Sequence, residues 1–300
     1  MDPIRLLTTI NNAQKKNINL KYISDNIPLS SLNTCKGIDS TNNIKIIKDD
    51  DRNDKFYDNL LSDLFKYKSS IMMANIDTLF AITGFFAGPW GPQTLDINTS
   101  LIINPDDIGI IKYLQYRNPL YNCIIMPKKN MQLTDIMQDN NTMFILNIND
   151  SKLPLDICII ENYNTLKNII DYLIFILMRL KINGKLIIKI NISNDNLLFF
   201  VDLLTILKYC FKNLILTKLS TMNVYNNDFY IVGTDFFNLN VNKCLSLFRL
   251  SNKFDKLLAD TDFNILNYIL MIIDDVNKFK AKDKSYTYSL STLLKILNIY

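Results

Sequence analysis

Three charged residues in the second half of the chain have the types and positions that acid–base chemistry requires. Glu161 ends the apolar run 155–160, Lys189 lies in the apolar run 185–190, and Asp228 opens the run 228–234. A lysine whose pKa is shifted by its surroundings can accept a proton in a reaction. The sequence has no histidine, which excludes Ser-His and Cys-His pairs and removes the commonest zinc ligand.

Each of these residues also has a structural interpretation. Lys189 can be a lysine near a strand end that reaches solvent. Asp228 can be a turn residue, because it follows Asn226-Asn227 and such residues favour turns. Glu161 can cap the helix that follows its strand. Both interpretations stay open on the sequence alone.

Short apolar runs alternate with helical patterns from about residue 77 onward, and these elements must position the three residues. The predicted strands are 78–86, 99–103, 122–126, 142–148, 155–160, 185–190, 214–219 and 228–234. The predicted helices are 54–68, 106–116, 164–181 (ended by Asn183-Gly184), 195–211, 245–258, 264–279 and a short one from 290. Such alternation predicts βαβ units and a mainly parallel sheet with helices on both faces.

The last two predicted strands are linked by residues 220–227 alone, too few for a helical crossover, so the last strand should be antiparallel. The predicted fold class is therefore α/β, with a Rossmann-like methyltransferase sheet that is mostly parallel. The predicted domains are an N-terminal arm (1–54), the Rossmann domain (55–239) and a C-terminal helical extension (240–300).

The predicted first strand is followed by a loop that is poorly suited to a cofactor. This loop, Phe85–Pro92, contains two prolines, which stiffen it and remove backbone donors. We expect it to fill or cover the pocket, so no cofactor site is assigned, with cofactor binding as the alternative. Trp90 can instead anchor a partner, since aromatic residues are enriched at interface hot spots.

Composition narrows the remaining classes of function. The five cysteines form no CxxC pair, so no zinc site or disulfide framework is predicted. The apolar run 172–178 is far shorter than the roughly 20 residues that span a bilayer, and no secretory signal is present. We expect a soluble intracellular protein in a reducing compartment. The net charge of +4 permits contact with RNA without indicating it.

Over residues 155–235 the sequence resembles RNA ribose 2′-O-methyltransferases. That resemblance implies a Lys-Asp-Lys-Glu tetrad around the ribose hydroxyl, in which a lysine with a lowered pKa takes the proton. Lys189 matches the second lysine, whereas Glu161 replaces the usual Asp and Asp228 replaces the usual Glu. Candidates for the first lysine are Lys55, Lys66 and Lys68. An active cap 2′-O-methyltransferase that uses Lys189, Glu161 and Asp228 is thus one hypothesis.

A second resemblance, spread over most of the chain's length, is to the small, regulatory subunit of poxvirus mRNA-capping enzymes. The similarity lies in residues 18–20, 27–32, 60–82 and 185–236, followed by a helical tail. It implies a methyltransferase-like fold without catalytic residues or cofactor. It also implies a heterodimer with the large catalytic subunit, whose guanine-N7 methylation the small subunit raises, and a role in early transcription termination.

The same resemblance implies a location in the virion or host cytoplasm, no membrane contact, and contact with RNA through the complex. Aromatic candidates for the partner interface are Phe56, Phe65, Phe85, Phe86 and Trp90. A third hypothesis is a protein or nucleic-acid scaffold with a Rossmann core and no role in capping.

Overall fold

A computed structural model describes most of the second and third quarters of the chain and parts of the rest. The described residues are 46–47, 67–84, 98–128, 141–193, 195–219, 227–237, 241–254, 263–280 and 288–289. The five predicted interface aromatics lie outside these residues, as do Lys55, Lys66 and the predicted helix from 290. Lys68, the remaining candidate for the first lysine, is exposed and begins the first described helix.

Seven strands form the main sheet. They are β2 (Thr99–Ile103), β3 (Asn122–Met126), β4 (Thr142–Phe144), β5 (Leu155–Ile160), β6 (Leu180–Asn191), β7 (Phe211–Thr217) and β8 (Asp228–Phe236). Their order across the sheet is β4-β3-β2-β5-β6-β8-β7. All neighbours pair in parallel except β8, which is antiparallel to both β6 and β7. The α/β class and the antiparallel last strand are therefore confirmed. A two-residue strand β1 (Ile46–Ile47) pairs separately with β9 (Tyr288–Ser289).

Helices cover both faces of this sheet. They are α1 (Lys68–Phe80), α2 (Gly109–Arg117), α3 (Leu166–Arg179), α4 (Leu197–Leu207), α5 (Val241–Phe254) and α6 (Phe263–Lys280). Side chains alternate between the faces of each strand. In β5, Cys158 faces the core shared with α3, α4, α5 and α6, while Ile159 faces the core shared with α1 and α2. The two C-terminal helices thus pack in the same core as α3 and α4.

The prediction of a strand over 78–86 is wrong for the residues that the structure describes. Residues 78–80 are the last turn of α1, which ends at Ala81 in the left-handed conformation (φ 49°). The run from Ile71 to Ile76 is buried throughout, and a buried helix segment cannot be told from a buried strand by its pattern. The first strand of the sheet is consequently β2.

The prediction that Asn183-Gly184 ends a helix is also wrong. Helix α3 ends at Arg179 and the chain enters β6 directly at Leu180. Asn183 has a positive φ of 63° inside β6, and the register with β5 shifts at this point. A Cβ atom on Gly184 would lie 2.7 Å from Cγ of Leu180. The two turn-forming residues therefore make an irregularity within a strand.

The other predicted elements within the described residues exist, most of them with shifted ends, whereas the predicted helix 54–68 lies outside the described residues except for its last two positions. Strands 99–103, 122–126 and 155–160 match their predicted bounds. Strand β4 stops at Phe144 and not at 148, and β7 begins three residues before its predicted start. Helix α2 begins at Gly109, so Asp106 and Asp107 precede it. The four described cysteines are buried, as expected, and the sulfur atoms of Cys210 and Cys244 lie 3.0 Å apart.

A buried ion pair between Asp77 and Arg117 holds the turn that follows α1 against helix α2. Asp77 accepts hydrogen bonds from the backbone N–H of Thr83 at 2.7 Å and from the hydroxyl of Tyr113 at 2.9 Å. Its Oδ2 also lies 3.1 Å from Nε of Arg117, and both side chains are almost fully buried. A carboxylate that satisfies several buried donors stabilises a fold because its loss leaves those donors unpaired.

We therefore expect Asp77→Ala to destabilise the protein strongly. Removing one partner of a buried ion pair typically costs about 3–5 kcal/mol, because the remaining charge stays buried without compensation. Urea unfolding followed by circular dichroism measures this loss. The matched control is Asp195→Ala, at an exposed position, which should change the free energy of unfolding by less than about 0.5 kcal/mol. Equal stability of the two variants would contradict the role given to Asp77.

Candidate functional site

The carboxyl ends of the parallel strands form one edge of the sheet, where α/β proteins place their sites. Residues 104–108 follow β2, Lys128 lies just after β3, Glu161 follows β5, and Lys189 lies near the end of β6. The antiparallel strand β8 begins at the same edge, so Tyr230 lies opposite Lys189 in the register. Five elements therefore bring charged side chains together here.

Glu161 is buried at this edge, with 3% of its surface exposed. Its Oε1 accepts a hydrogen bond from the hydroxyl of Tyr230 at 3.0 Å. Its Oε2 is buried, has no hydrogen-bond partner among the described residues, and lies 3.9 Å from Nζ of Lys189. Burial raises the pKa of Glu161 to about 7, although the charge of Lys189 opposes this. Glu161 does not cap α3, whose N-cap is Thr165.

Lys189 is held by two carboxylates. Its Nζ donates to Oδ2 of Asp106 at 2.8 Å and lies near Glu161. Burial lowers the pKa of Lys189, but the charge of Glu161 and the hydrogen bond to Asp106 outweigh burial and leave this pKa raised. The resemblance to 2′-O-methyltransferases implies the opposite direction. A lysine that stays protonated is a poor proton acceptor.

Asp106 lies between two lysines. Its Oδ1 accepts from Nζ of Lys128 at 2.5 Å and from the side-chain amide of Asn162 at 3.0 Å, while Oδ2 accepts from Lys189. Burial would raise the pKa of Asp106, but the two lysines outweigh burial and hold it at about 2. The carboxylate is therefore ionised throughout the neutral range, and it links the loops after β2, β3 and β5.

The loop that carries Asp106 is fixed on both sides. Asn104 has a positive φ of 48°, and its side-chain amide donates to the carbonyl of Asn162 at 3.1 Å. The amide of Asn162 donates in return to the carbonyl of Asn104 at 2.8 Å. At the other end, Asp107 accepts from Ser69 of α1 and from the N–H of Gly109. These bonds hold the position of Asp106 between them.

Asp228 lies at the same edge but contributes less to the cluster. Its Oδ1 accepts from the side-chain amide of Asn191 at 2.8 Å, and its carbonyl accepts from Lys218. Its charge adds a minor contribution to the raised pKa of Lys189. Of the three predicted site residues, the structure thus brings Glu161 and Lys189 together and places Asp228 beside them.

The residues at this edge do not fit S-adenosylmethionine. Nucleoside cofactors in such folds use a glycine-rich turn after the first strand and an acidic residue near the end of the second. Here residues 104–108 contain no glycine, and Lys128 follows the second strand of the fold, β3. Gly109 is used for packing, since a Cβ atom there would lie 2.5 Å from Oγ of Ser69. The predicted pocket loop, Phe85–Pro92, follows α1, so its assignment to the first strand was wrong.

Four site residues were missed by the sequence interpretation: Asp106, Lys128, Asn162 and Tyr230. A signal for two of them existed, because Asp106 and Lys128 follow adjacent parallel strands and must share an edge. The false strand over 78–86 hid this signal by shifting the order of the sheet. Tyr230 lies two residues after Asp228 and therefore points to the same face.

The described residues contain neither a cluster of metal-binding side chains nor a helix long and apolar enough to cross a membrane. The strand order, with one antiparallel strand, defines a Rossmann-like methyltransferase fold. No protein-family model matches the sequence, and no curated protein matches it.

Several solved structures are similar to this chain. A precorrin-6y C5,15-methyltransferase from Geobacter metallireducens has 16% identity over 47% of this chain and 81% of its own, with a TM-score of 0.33. The fibrillarin/Nop5p complex has 15% identity over 47% and 73%, with a TM-score of 0.36. An O-methyltransferase family protein from Burkholderia thailandensis has 9% identity over 56% of each chain, with a TM-score of 0.39. At such scores the fold class rests on the strand order itself.

Glu161 makes the stability of the protein depend on pH near neutrality. Its pKa rises from 4.5 to about 7 on folding, so the folded chain binds more protons than the unfolded chain between these values. The contribution of protonated Glu161 to the stability of the folded protein is complete below pH 4.5 and is lost as the pH rises through 7. We expect wild-type stability to fall by up to about 3 kcal/mol relative to Glu161→Gln across this window.

The chain is well suited to this measurement. Glu161 is its single glutamate and it has no histidine, so one side-chain carboxyl signal appears after ¹³C-glutamate labelling. Its titration by NMR should give a midpoint near 7, and urea unfolding at several pH values gives the stability difference. A midpoint near 4.5, or parallel pH profiles for wild type and Glu161→Gln, would contradict a raised pKa for Glu161.

Proposed function

We propose that this chain is a non-catalytic regulatory subunit of a viral mRNA-capping enzyme. In this proposal it binds the methyltransferase domain of the large subunit, raises guanine-N7 methylation of the cap, and takes part in early transcription termination in the virion or host cytoplasm. The support is the methyltransferase-like fold together with the sequence resemblance to that subunit. Phe56, Phe65, Phe85, Phe86 and Trp90 remain the proposed interface aromatics.

One observation carries the non-catalytic part of the proposal, namely the ion pair between Asp106 and Lys128. Asp106 follows the first strand and Lys128 follows the second, where an acidic residue would bind the ribose hydroxyls of a nucleoside cofactor. They are bonded to each other at 2.5 Å. A lysine in place of the acidic residue offers no acceptor for ribose hydroxyls, since an ammonium group only donates.

The raised pKa of Lys189 supports the same proposal. A general base for a ribose hydroxyl must be free of its proton near neutral pH. Glu161 and Asp106 both favour the protonated lysine, so a proton acceptor is missing from the position that the resemblance assigns to it. A regulatory protein would act by binding the ordered form of its partner and shifting that population.

We expect the isolated chain to give no calorimetric signal with S-adenosylmethionine at up to millimolar concentration. The large subunit's methyltransferase domain, titrated in the same way, is the positive control. The chain should then co-purify with that domain and raise its guanine-N7 methylation of capped RNA. Micromolar cofactor binding by the isolated chain, or a failure to bind and stimulate the domain, would overturn the proposal.

The alternative is an active cap 2′-O-methyltransferase, and the contact between Lys189 and Glu161 favours it. If this alternative holds, the wild-type chain alone methylates capped RNA, and Lys189→Ala lowers the rate by at least about 100-fold, as loss of a general base does. The conservative variant Lys189→Arg keeps the charge but cannot give up its proton, so it should be equally inactive. Absence of methyl transfer by wild type removes this alternative.

A further inference from the structure

The three donors around Asp106 form a preformed site for two oxygen atoms. Lys128 and Asn162 donate to Oδ1 at 2.5 and 3.0 Å, and Lys189 donates to Oδ2 at 2.8 Å. The donors come from three segments, after β3, after β5 and within β6. Such an arrangement of charged donors binds a carboxylate or a phosphate group equally well. We call Lys128, Asn162 and Lys189 the anion cradle.

Two of the three cradle donors are also positioned by groups other than Asp106. Lys189 extends from a strand in the centre of the sheet, and the buried Oε2 of Glu161, which lacks a hydrogen-bond partner among the described residues, lies 3.9 Å from its Nζ. Asn162 is held by its bond to the carbonyl of Asn104 at 2.8 Å. Two of the three donors therefore keep a second partner when Asp106 is absent.

The backbone of Asp106 is held by its loop, but its side chain lies near the surface and can rotate away from the cradle. Its side chain is 39% exposed, and that of Lys128 is 38% exposed, so solvent and solutes reach both. An incoming anion would take the place of the Asp106 carboxylate beside the two lysines, and that carboxylate would turn to the solvent. The exposed pair with Lys128 contributes at most about 1 kcal/mol, so an external anion has to compete mainly with the bond between Asp106 and the less exposed Lys189.

We propose that the anion cradle is a binding site for an external oxyanion, a carboxylate or phosphate group, which Asp106 occupies in the absence of that ligand. Asp106 then acts as an internal competitor. The apparent affinity for the external group equals the intrinsic affinity multiplied by the fraction of molecules in which the cradle is free. This site uses the same Asp106–Lys128 ion pair that supports the non-catalytic proposal, but anion binding needs no partner protein.

The test compares anion binding by four full-length proteins: wild type, Asp106→Ala, the double variant Asp106→Ala/Lys128→Ala, and Asp228→Ala. Sodium phosphate and sodium acetate are titrated separately at constant ionic strength, and binding is followed by calorimetry. Asp228→Ala is the matched control, because it removes a carboxylate from the same edge without opening the cradle. The two anions distinguish a phosphate from a carboxylate ligand.

We expect Asp106→Ala to bind at least one of the two anions about tenfold more tightly than wild type, since the competitor is gone. The double variant should lose this gain, and Asp228→Ala should resemble wild type. The proposal would be overturned if wild type and Asp106→Ala bound both anions with equal affinity. It would also be overturned if the double variant bound as tightly as Asp106→Ala.

A second comparison covers the case in which Asp106→Ala does not fold. Lys128→Gln keeps Asp106 in place and removes one charged donor from the cradle. At phosphate or acetate concentrations that saturate wild type, this variant should bind at least about tenfold more weakly. Wild type that binds neither anion, or Lys128→Gln that binds like wild type, would also overturn the proposal.

Discussion

The burial of a mainly parallel sheet on both faces is the constraint on which the rest of this structure depends. All five residues of β2 are buried, and the backbone groups of such a strand are satisfied only by neighbouring strands. Helices on both sides leave little room for charged side chains in the middle of the central strands. Charged groups are therefore placed at the strand ends, and the carboxyl edge collects Asp106, Lys128, Glu161 and Lys189.

Two carboxylates share Lys189, yet their pKa values move in opposite directions. Asp106 receives hydrogen bonds from both lysines, so its pKa falls to about 2. Glu161 lies deeper, 3.9 Å from the same ammonium group, and its pKa rises to about 7. At this edge a direct charged hydrogen bond outweighs burial, whereas a nearby charge without such a bond does not.

The sequence predicts the sheet well and the site only in part. Strands β2, β3 and β5 are continuous apolar runs with polar ends, so their bounds could be read directly. The bounds of helix α1 could not be read directly, because its apolar residues do not lie on one face of the helix. Glu161 and Lys189 could be predicted because they lie at strand ends. The ion pair between Lys189 and Asp106 could not, because it depends on the conformation of the loop at Asn104. A left-handed residue in a loop leaves no periodic signal in a sequence.

The order of the strands also has a consequence for how the chain folds. Strand β8 pairs with both β6 and β7, and β3 pairs with both β2 and β4, so contacts within each half of the sheet close loops of a few tens of residues. The β2–β5 pairing joins segments more than fifty residues apart, as its register from Ser100 to Ile157 shows. Contacts of short sequence separation cost less chain entropy and form sooner. The cluster at the carboxyl edge joins residues that follow β2 and β3 to residues of β5 and β6, so it depends on the β2–β5 pairing, which has the largest sequence separation in the main sheet.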